Sequence, residues 1–463
     1  MLKELFLPET ALNGRWRVNS AIAFAFRRLT VRPLYLIELN EVNFDFVRRY
    51  VRMGRLPCFS KLLQRHGLGS TTSESAYEQV EPWIQWVTAH TGKTYAEHGV
   101  FRLGDIVGRD LDQVWEVLER RGITVGAVSP MNAENRLRAP AFFVPDPWTS
   151  TPVSADRATR MLYGAVVQAV AENAQGRLAM RSLIGLLAGF ARNVSAGRWR
   201  VYVELARRLR GRPWIKATIL DRLLADVFLS QVRRARPRFA SLFLNAAAHI
   251  QHHYMFNSVV YDGERQNPEW YVRQSEDPVF EIYSIYDRIV ADIQAIEPDT
   301  RVIIATGLHQ DPYPDATFYW RLKEHVAFLT SAGVQFESVE PLMSRDFLVR
   351  FRSTREAELA KVVLEAARIE GEDARVFEVD NRGDSLFCTL VFGREIKAGM
   401  VFTVNGRRFA GYDAVAFVAI KNGHHNPLGY LIDTDAPTAH IGLPLSEIYR
   451  LVTDHFDADR VAA

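Results

Sequence analysis

The chain has 463 residues, 48% of them apolar and 24% charged, with a net charge of only +3, a balance outside the disordered and fibrous ranges and sufficient for a large buried core. Its two cysteines, Cys58 and Cys388, are far apart in sequence and exclude a disulfide framework, a CxxC metal site and a redox pair. The apolar patch Ala21 to Phe26 is broken at once by Arg27 and Arg28 and is shorter than a signal-peptide core or a membrane span. The expected setting is reducing and cytoplasmic.

After an extension over residues 1–33, Leu34 to Leu39 has the continuous apolar pattern of a buried strand, and Asn43 to Tyr50 that of a helix. Asn40 and Glu41 fall in the loop between them, where open parallel sheets bind ligands beyond their strand ends. A helix over Leu111 to Arg121 and a strand over Thr124 to Val128 repeat the unit. Ser241 to Asn245 and Arg301 to Ala305 read as further strands, with a helix over Val279 to Ile296 between them. The pattern predicts an α/β fold with one main body over residues 34–452, two insertions and a tail over 453–463.

The first insertion, residues 176–238, is helical in pattern and carries fifteen Lys or Arg against only Glu204, Asp221 and Asp226, so the basic charge of the chain is concentrated there. Arg side chains also cover apolar surface, so a solvated helical cap accounts for this segment. A basic lid for a polyanionic substrate, or a face resting on an acidic membrane with Leu183 to Phe190 as its apolar side, accounts for it equally in kind. No recognition motif or regular aromatic interleaving points to sequence-specific nucleic acid. The second insertion, residues 346–408, reads as strand (Phe347 to Phe351), helix (Arg355 to Arg368) and two strands (Val376 to Val379, Ser385 to Phe392), a small α+β unit.

Five polar clusters are expected at strand ends or in loops: Glu38 to Glu41; Glu81-Pro82-Trp83 with His90 to Lys93 and Glu97 to Gly99; His249 to His253; Gly307 to Asp311; and Gly423 to Asn426. They hold eight of the twelve histidines. Histidine and carboxylate suit zinc or manganese, and converging loops are a common way to build a metal site. The candidate ligands are Asn40, Glu41, His249, His252, His309, Asp311, His424 and His425. Glu81, Glu41 and His253 are candidate catalytic groups, and Trp83, Trp86, Asn132 and Lys93 candidate substrate contacts, although aromatic side chains more often pack in a core. Catalysis on this basis requires His252, His309 and His424 to converge.

The order of these clusters resembles the alkaline phosphatase superfamily, in particular its type I phosphodiesterase and nucleotide pyrophosphatase branch. Gly54-Arg55-Leu56-Pro57 after the first strand and helix is similar to that branch's Gly-x-Leu-Pro stretch. Trp86 to Gly92, continuing to His98-Gly99, is similar to its Trp-x-x-x-x-Thr-Gly and His-Gly motifs; Gly122 to Pro130 and Ala141 to Pro147 follow in the same order. His249 to Tyr254 resembles Asp-x-x-Gln-His, and Gly423 to Gly429 with Ala436 to Leu443 resembles the closing His and Ala-Pro-Thr segments. The resemblance implies an alkaline phosphatase-like, mostly parallel central sheet flanked by helices, two divalent metals, and a Ser, Thr or modified Cys nucleophile.

Position by position, the implied site is rewritten. The first metal-binding Asp falls on Asn40, the nucleophile on Pro82, the central Asp on Ala248, and the Ser-Asp-His-Gly loop on Thr306 to His309; His252 and the late histidine, His424 or His425, remain. Two readings follow. In one, neighbouring Glu and His side chains rebuild a site holding at least one divalent metal, zinc or manganese, and cleave or transfer a phosphate or sulfate ester of a small anionic substrate, such as a glycoconjugate or nucleotide-type intermediate, with Glu81 as general base. In the other, the fold is a catalytically inactive binding or scaffold protein. The oligomeric state is left open.

Overall fold

The computed structural model describes residues 32–171, 180–342, 344–436 and 438–457. All of the expected extension except Arg32 and Pro33 lies outside these residues, as do 176–179 of the basic insertion and 458–463 of the tail.

The centre is an eight-stranded sheet. Its strands are β1 (Leu34–Leu39), β2 (Gly69–Thr72), β3 (Val125–Val128), β4 (Phe142–Val144), β5 (Phe239–Leu244), β6 (Arg301–Ala305) and two from the C-terminal part. Between β6 and those two runs a long antiparallel ribbon of β7 (His309–Leu322) and β8 (Val415–Asn426), followed by β9 (Leu428–Asp433) and β10 (Leu443–Pro444). The sheet order is β10-β2-β9-β6-β1-β5-β3-β4. Strands β6, β1, β5, β3 and β4 are mutually parallel, and β9 runs antiparallel between β6 and β2. Every residue of β1 and β5 is buried. Helices cover both faces of the sheet, which is why these strands read as apolar runs without alternation.

Parallel pairing in register brings the carboxyl ends of β1, β5 and β6 side by side. The chain leaving β1 is held there by Asn40 N donating to Leu244 O at 3.0 Å and Glu41 N to Thr306 O at 3.1 Å. Four helices frame this edge: α1 (Phe44–Arg52), α2 (Pro82–Thr91), α3 (Ala246–Tyr254) and α4 (Pro278–Gln294). Asn43 caps α1, its side chain accepting from Asp45 N and Phe46 N at 2.9 and 3.0 Å, and Phe46, Val47 and Tyr50 pack inward. Helix α2 begins at Pro82, where a missing N–H costs nothing, and stops at Gly92, whose φ of +68° suits glycine.

The expected strands and the helices over Asn43 to Tyr50 and Val279 to Ile296 appear within a few residues of their predicted limits. The placement of the polar clusters in loops is corrected. His90 lies within α2, His249 to His253 on α3, His309 to Asp311 on β7, and His424 and His425 on β8. Helix α2 is buried almost all round, so its sequence has no amphipathic stripe, and the ribbon strands are polar where they line a site instead of a core.

The second insertion follows its expected order. Asp346–Arg350, Phe377–Asn381 and Ser385–Leu390 join Ser338–Pro341 in a four-stranded antiparallel sheet beside the helix Thr354–Glu365. Its own core also includes Phe328, Leu329 and Val415, so the unit reaches beyond 346–408 on both sides. The ribbon β7–β8 joins this cap to the main sheet. In the basic insertion much of the charge is met by carboxylates, several supplied by neighbouring helices: Arg198 and Arg222 pair with Asp226 and Asp292, Arg208 with Glu281, and Arg212 with Glu276. Among the described residues no helix is long and apolar enough to cross a membrane.

Candidate metal centre

Glu41 is the pivot. It follows β1 directly, is 2% exposed, and adopts φ +59°, a left-handed conformation uncommon for a side chain with a Cβ. Its backbone is fixed there by Thr306 and by Gln251, whose Nε2 donates to Glu41 O at 2.7 Å. Its carboxylate is fixed too: Asn40 Nδ2 donates to Oε1 at 3.0 Å, and Gln310 Nε2 donates to Oε2. Strain of this kind persists only where surrounding contacts over-determine it.

Two histidines from distant parts of the chain meet this carboxylate. His252 Nε2, from α3, lies 3.3 Å from Glu41 Oε2, and His425 Nε2, from β8, lies 3.3 Å from the same oxygen. The two imidazole nitrogens are 3.3 Å from each other. Among the described residues these three form the one group of potential ligands whose donor atoms all lie within 4.8 Å of one another.

The spacing tests whether they fit a metal. Donors at zinc distances on a tetrahedron lie roughly 3.3–3.4 Å apart, whereas neighbouring donors on an octahedron of the same bond length lie roughly 2.9 Å apart. The observed triangle has the tetrahedral edge, and two imidazoles with one carboxylate are ligands suited to zinc. Glu41, His252 and His425 therefore fit a single divalent cation.

The same contacts set the charges. Burial pushes the Glu41 carboxyl up, but the His425 charge, hydrogen bonds from both histidines and the His252 charge outweigh it and hold it well below the usual carboxylate range. Burial depresses the His425 imidazole, and Glu41 with help from Glu81 reverses this, raising it to about 9. Glu81, immediately before α2, has its Oε2 3.6 Å from His425 Nδ1, too far for a direct hydrogen bond. Burial raises Glu81 to about 7, with His425 and Lys421 opposing and Glu41 adding to the rise. It is a partly exposed carboxyl that titrates near neutrality beside the centre.

The other expected ligands do not join the three. Asn40 is saturated: its Nδ2 also donates to Asn245 Oδ1 at 2.8 Å and its Oδ1 accepts from Trp86 Nε1 at 2.7 Å. It orients Glu41 and lies outside the group of donor atoms that meet there. His309 pairs with Asp311 at 3.1 Å and contacts the Leu428 carbonyl, while Asp311 accepts from Asn426 Nδ2 at 2.6 Å. His424 is His425's neighbour on a strand and so points the other way, against the Tyr313 ring. His249 packs on the His253 ring. The expected convergence of His252, His309 and His424 is thus replaced by that of His252, His425 and Glu41.

The expected catalytic role of His253 meets a similar obstacle: its Nδ1 is 3.4 Å from Ile420 O, and burial holds the ring well below the usual histidine range. Among the expected substrate contacts, Trp86 is fully buried and spends its indole N–H on Asn40, which makes it a core residue. Trp83 Nε1 donates to Phe101 O at 3.0 Å. Asn132 is a clamp, donating to Trp83 O at 2.9 Å and accepting from Gly104 N at 2.8 Å. Lys93 lies beyond the opposite end of α2 from Glu81, with the ten residues of the helix, about 15 Å of rise, between them.

Two glutamines and a glycine complete the centre. Gln251 and Gln310 hold Glu41, and Gly423, paired with Pro312 across the ribbon, lets the Gln310 amide approach: a Cβ at 423 would land on Gln310 Oε1 and within 3.0 Å of Gln251 O. Gln310 sits between His309 and Asp311, and the two-residue period of a strand places it on the opposite face from them. That alternation is the signal that separates Gln310 from His309, and His425 from His424.

No family model and no curated protein sequence matches the chain. In fold it is an α/β protein, and three solved structures are similar to it over most of their length. Phosphonoacetate hydrolase from Sinorhizobium meliloti, in complex with phosphonoformate, shares 11% identity over 94% of this chain and 97% of that one, with a TM-score of 0.43. Murine ectonucleotide pyrophosphatase/phosphodiesterase 5 shares 9% over 92% and 95%, with a TM-score of 0.40. A TAB5 alkaline phosphatase mutant with Mg bound shares 8% over 92% and 99%, with a TM-score of 0.39. Likeness at this level carries no statement about chemistry.

Proposed function

We propose that the chain is a metal-dependent hydrolase or transferase of phosphate or sulfate esters, built around one divalent cation held by Glu41, His252 and His425. The observation that carries this reading is the equilateral 3.3 Å triangle of their donor atoms, fixed by a second layer of Asn40, Gln310 and Gln251. When bound, the cation supplies Lewis acidity towards an ester oxygen.

The chain supplies the rest. At the position where the resemblance implies a nucleophile stands Pro82, which has none, so the attacking group is a water or an acceptor hydroxyl. Glu81, adjacent to it and not locked onto His425, takes the proton from that group at a carboxylate oxygen. Its rise to about 7 keeps it basic enough to accept a proton near neutral pH and acidic enough to return it to a leaving oxygen. Glu41 and the two glutamines hold charge and orientation constant during the exchange.

The test is hydrolysis of p-nitrophenyl phosphate, bis-p-nitrophenyl phosphate and p-nitrophenyl sulfate by untagged protein with and without EDTA. The expected result is turnover of at least one ester that EDTA abolishes and zinc restores. For that ester kcat/KM should rise with pH as Glu81 loses its proton, at a pH below the metal-free value of about 7 because the cation's charge favours the carboxylate. Glu81→Gln should lower it by ~10²–10⁴ and remove the rise. Turnover unaffected by EDTA and by Glu81→Gln contradicts the mechanism; binding of an anionic ligand without turnover of any ester supports the silent binding protein instead.

A further inference from the structure

Beside the metal centre stand two cations with no carboxylate partner. Lys421, on β8 four residues before His425, is partly buried, and its Nζ sits 3.9 Å from the centre of the Tyr313 ring. Arg345, at the edge of the cap, has its guanidinium 4.4 Å from the centre of the Tyr319 ring. Two arginines of the molecule's interior, Arg222 and Arg301, are paired with aspartates at 2.6 Å; neither Lys421 nor Arg345 forms an ion pair among the described residues. An aromatic face attracts a cation, but it does not replace the hydrogen-bond acceptors lost on burial.

The two charges also feel each other. Burial first and the Arg345 charge second depress the Lys421 ammonium, with Glu81 acting in the opposite sense; across the ribbon Tyr319 pairs with Ala419 and Thr317 with Lys421, which puts the Tyr319 ring that carries Arg345 on the same face as Lys421. Tyr77, exposed on the segment that leads into Glu81, lies near enough to feel both Glu81 and Tyr313. The arrangement is a pair of cations without carboxylate partners set against tyrosine rings, with Lys421 on the strand that also carries the His425 ligand. Like charges brought together at a partly buried position are unfavourable alone and become favourable when an anion lies between them.

We propose that Lys421 and Arg345 form an anion-binding arm of the site, so that the ester accepted carries a second anionic, oxygen-rich group in addition to the one at the metal centre. This assignment of a substrate class rests on the hydrolase reading; the arm itself does not. Lys421 comes from the ribbon and Arg345 from the cap, so the second anion is also what ties the cap to the main sheet when substrate binds. The arginine offers a planar fork to such a group and the lysine a compact charge.

The probe is inorganic pyrophosphate, with orthophosphate as the single-anion control, titrated calorimetrically into full-length protein stripped of metal with EDTA at low ionic strength. Stripping removes the competing reaction of pyrophosphate with a cation. Wild type should bind pyrophosphate at least about tenfold more tightly than orthophosphate. With the cation removed the arm is the anion site under test, so Lys421→Met and Arg345→Met should each weaken pyrophosphate about tenfold and weaken orthophosphate as well, and Lys421→Arg should retain most of the affinity. Thermal melting of each variant, matched to wild type, shows that the loss is local. Equal binding of pyrophosphate by wild type and both variants, or no preference in wild type, overturns the arm. A protein that prefers pyrophosphate through Lys421 and Arg345 but holds no metal and cleaves no ester keeps the arm and sinks the hydrolase reading, so the two failures are distinct.

Discussion

Glu41 joins three demands that conflict in isolation: a left-handed backbone, near-complete burial and a negative charge. Each is resolved by a named neighbour, Thr306 and Gln251 for the backbone, Asn40 and Gln310 for the carboxylate, and His252 with His425 for the charge. The linkage gives a pH signature in metal-free protein. The His425 imidazole is raised from 6.5 to about 9 in the folded chain, so its contribution is complete below 6.5 and lost as the pH rises towards 9. Glu41 is lowered, so its contribution is present above the ordinary carboxylate range and lost only as the pH falls through its depressed value. The contribution of the Glu41–His425 pair to metal-free stability is therefore expected to be greatest at about pH 5–6.5 and to decline by on the order of 2–3 kcal/mol towards pH 9. Urea unfolding across pH checks this, and the alkaline decline should vanish in His425→Gln. A second residue pair serves stability alone: Glu38 and His90 are both essentially unexposed, 2.8 Å apart, inside β1 and α2. Glu38→Ala leaves the imidazole without its partner and should cost about 3–5 kcal/mol in denaturant unfolding, whereas Glu38→Gln, which keeps a hydrogen bond, should cost distinctly less.

The elements place these residues, and here the ribbon β7–β8 matters most. It carries Gln310, His425 and Lys421 and brings them to the carboxyl edge of the parallel sheet, against α3. Its fit depends on Gly423, where a side chain would collide with the Gln310 amide that holds Glu41. Gly423→Ala is expected to weaken zinc binding about tenfold, in line with the loss of a group that orients a metal ligand, while the melting temperature of the cap and sheet changes little; a chelator competition titration measures it, and unchanged zinc affinity removes Gln310 from the account. Much of this scale was legible in the sequence. Runs such as Leu34 to Leu39 announce a buried parallel strand because both faces are covered, and their carboxyl ends point to the site. Helix α2 was not legible, since a helix buried all round has no stripe to detect, and for the same reason Trp86 stood as a candidate substrate contact beside the core reading that the structure gives it. Between His424 and His425 residue type alone favoured neither, and between His309 and Gln310 it favoured the histidine, although Gln310 is the one that meets Glu41. Only the strand's alternation separates them, and it appears once the ribbon is known to be a strand.

Across the whole molecule, the sequence carries its basic charge in one insertion, yet the fold brings acidic residues of α4 and its surroundings, Glu276, Glu281 and Asp292, against that insertion. A local excess of charge in a sequence is thus partly offset by carboxylates from elsewhere in the chain once helices pack. The same folding gathers Glu41, His252 and His425, which are separated by more than a hundred residues at each step, and leaves His309 with Asp311. Neither spacing nor composition encodes that choice, because it depends on which strand faces which helix. The sequence resemblance implied two metals, and the geometry of the described residues offers ligands for one. Elemental analysis of untagged, dialysed protein by inductively coupled plasma mass spectrometry tests this most directly. About one zinc per chain is predicted, lost in His252→Ala and in His425→Ala but retained in His309→Ala and His424→Ala. Metal-free wild-type protein that takes up no zinc on titration, or zinc retained in both His252→Ala and His425→Ala, would contradict the account.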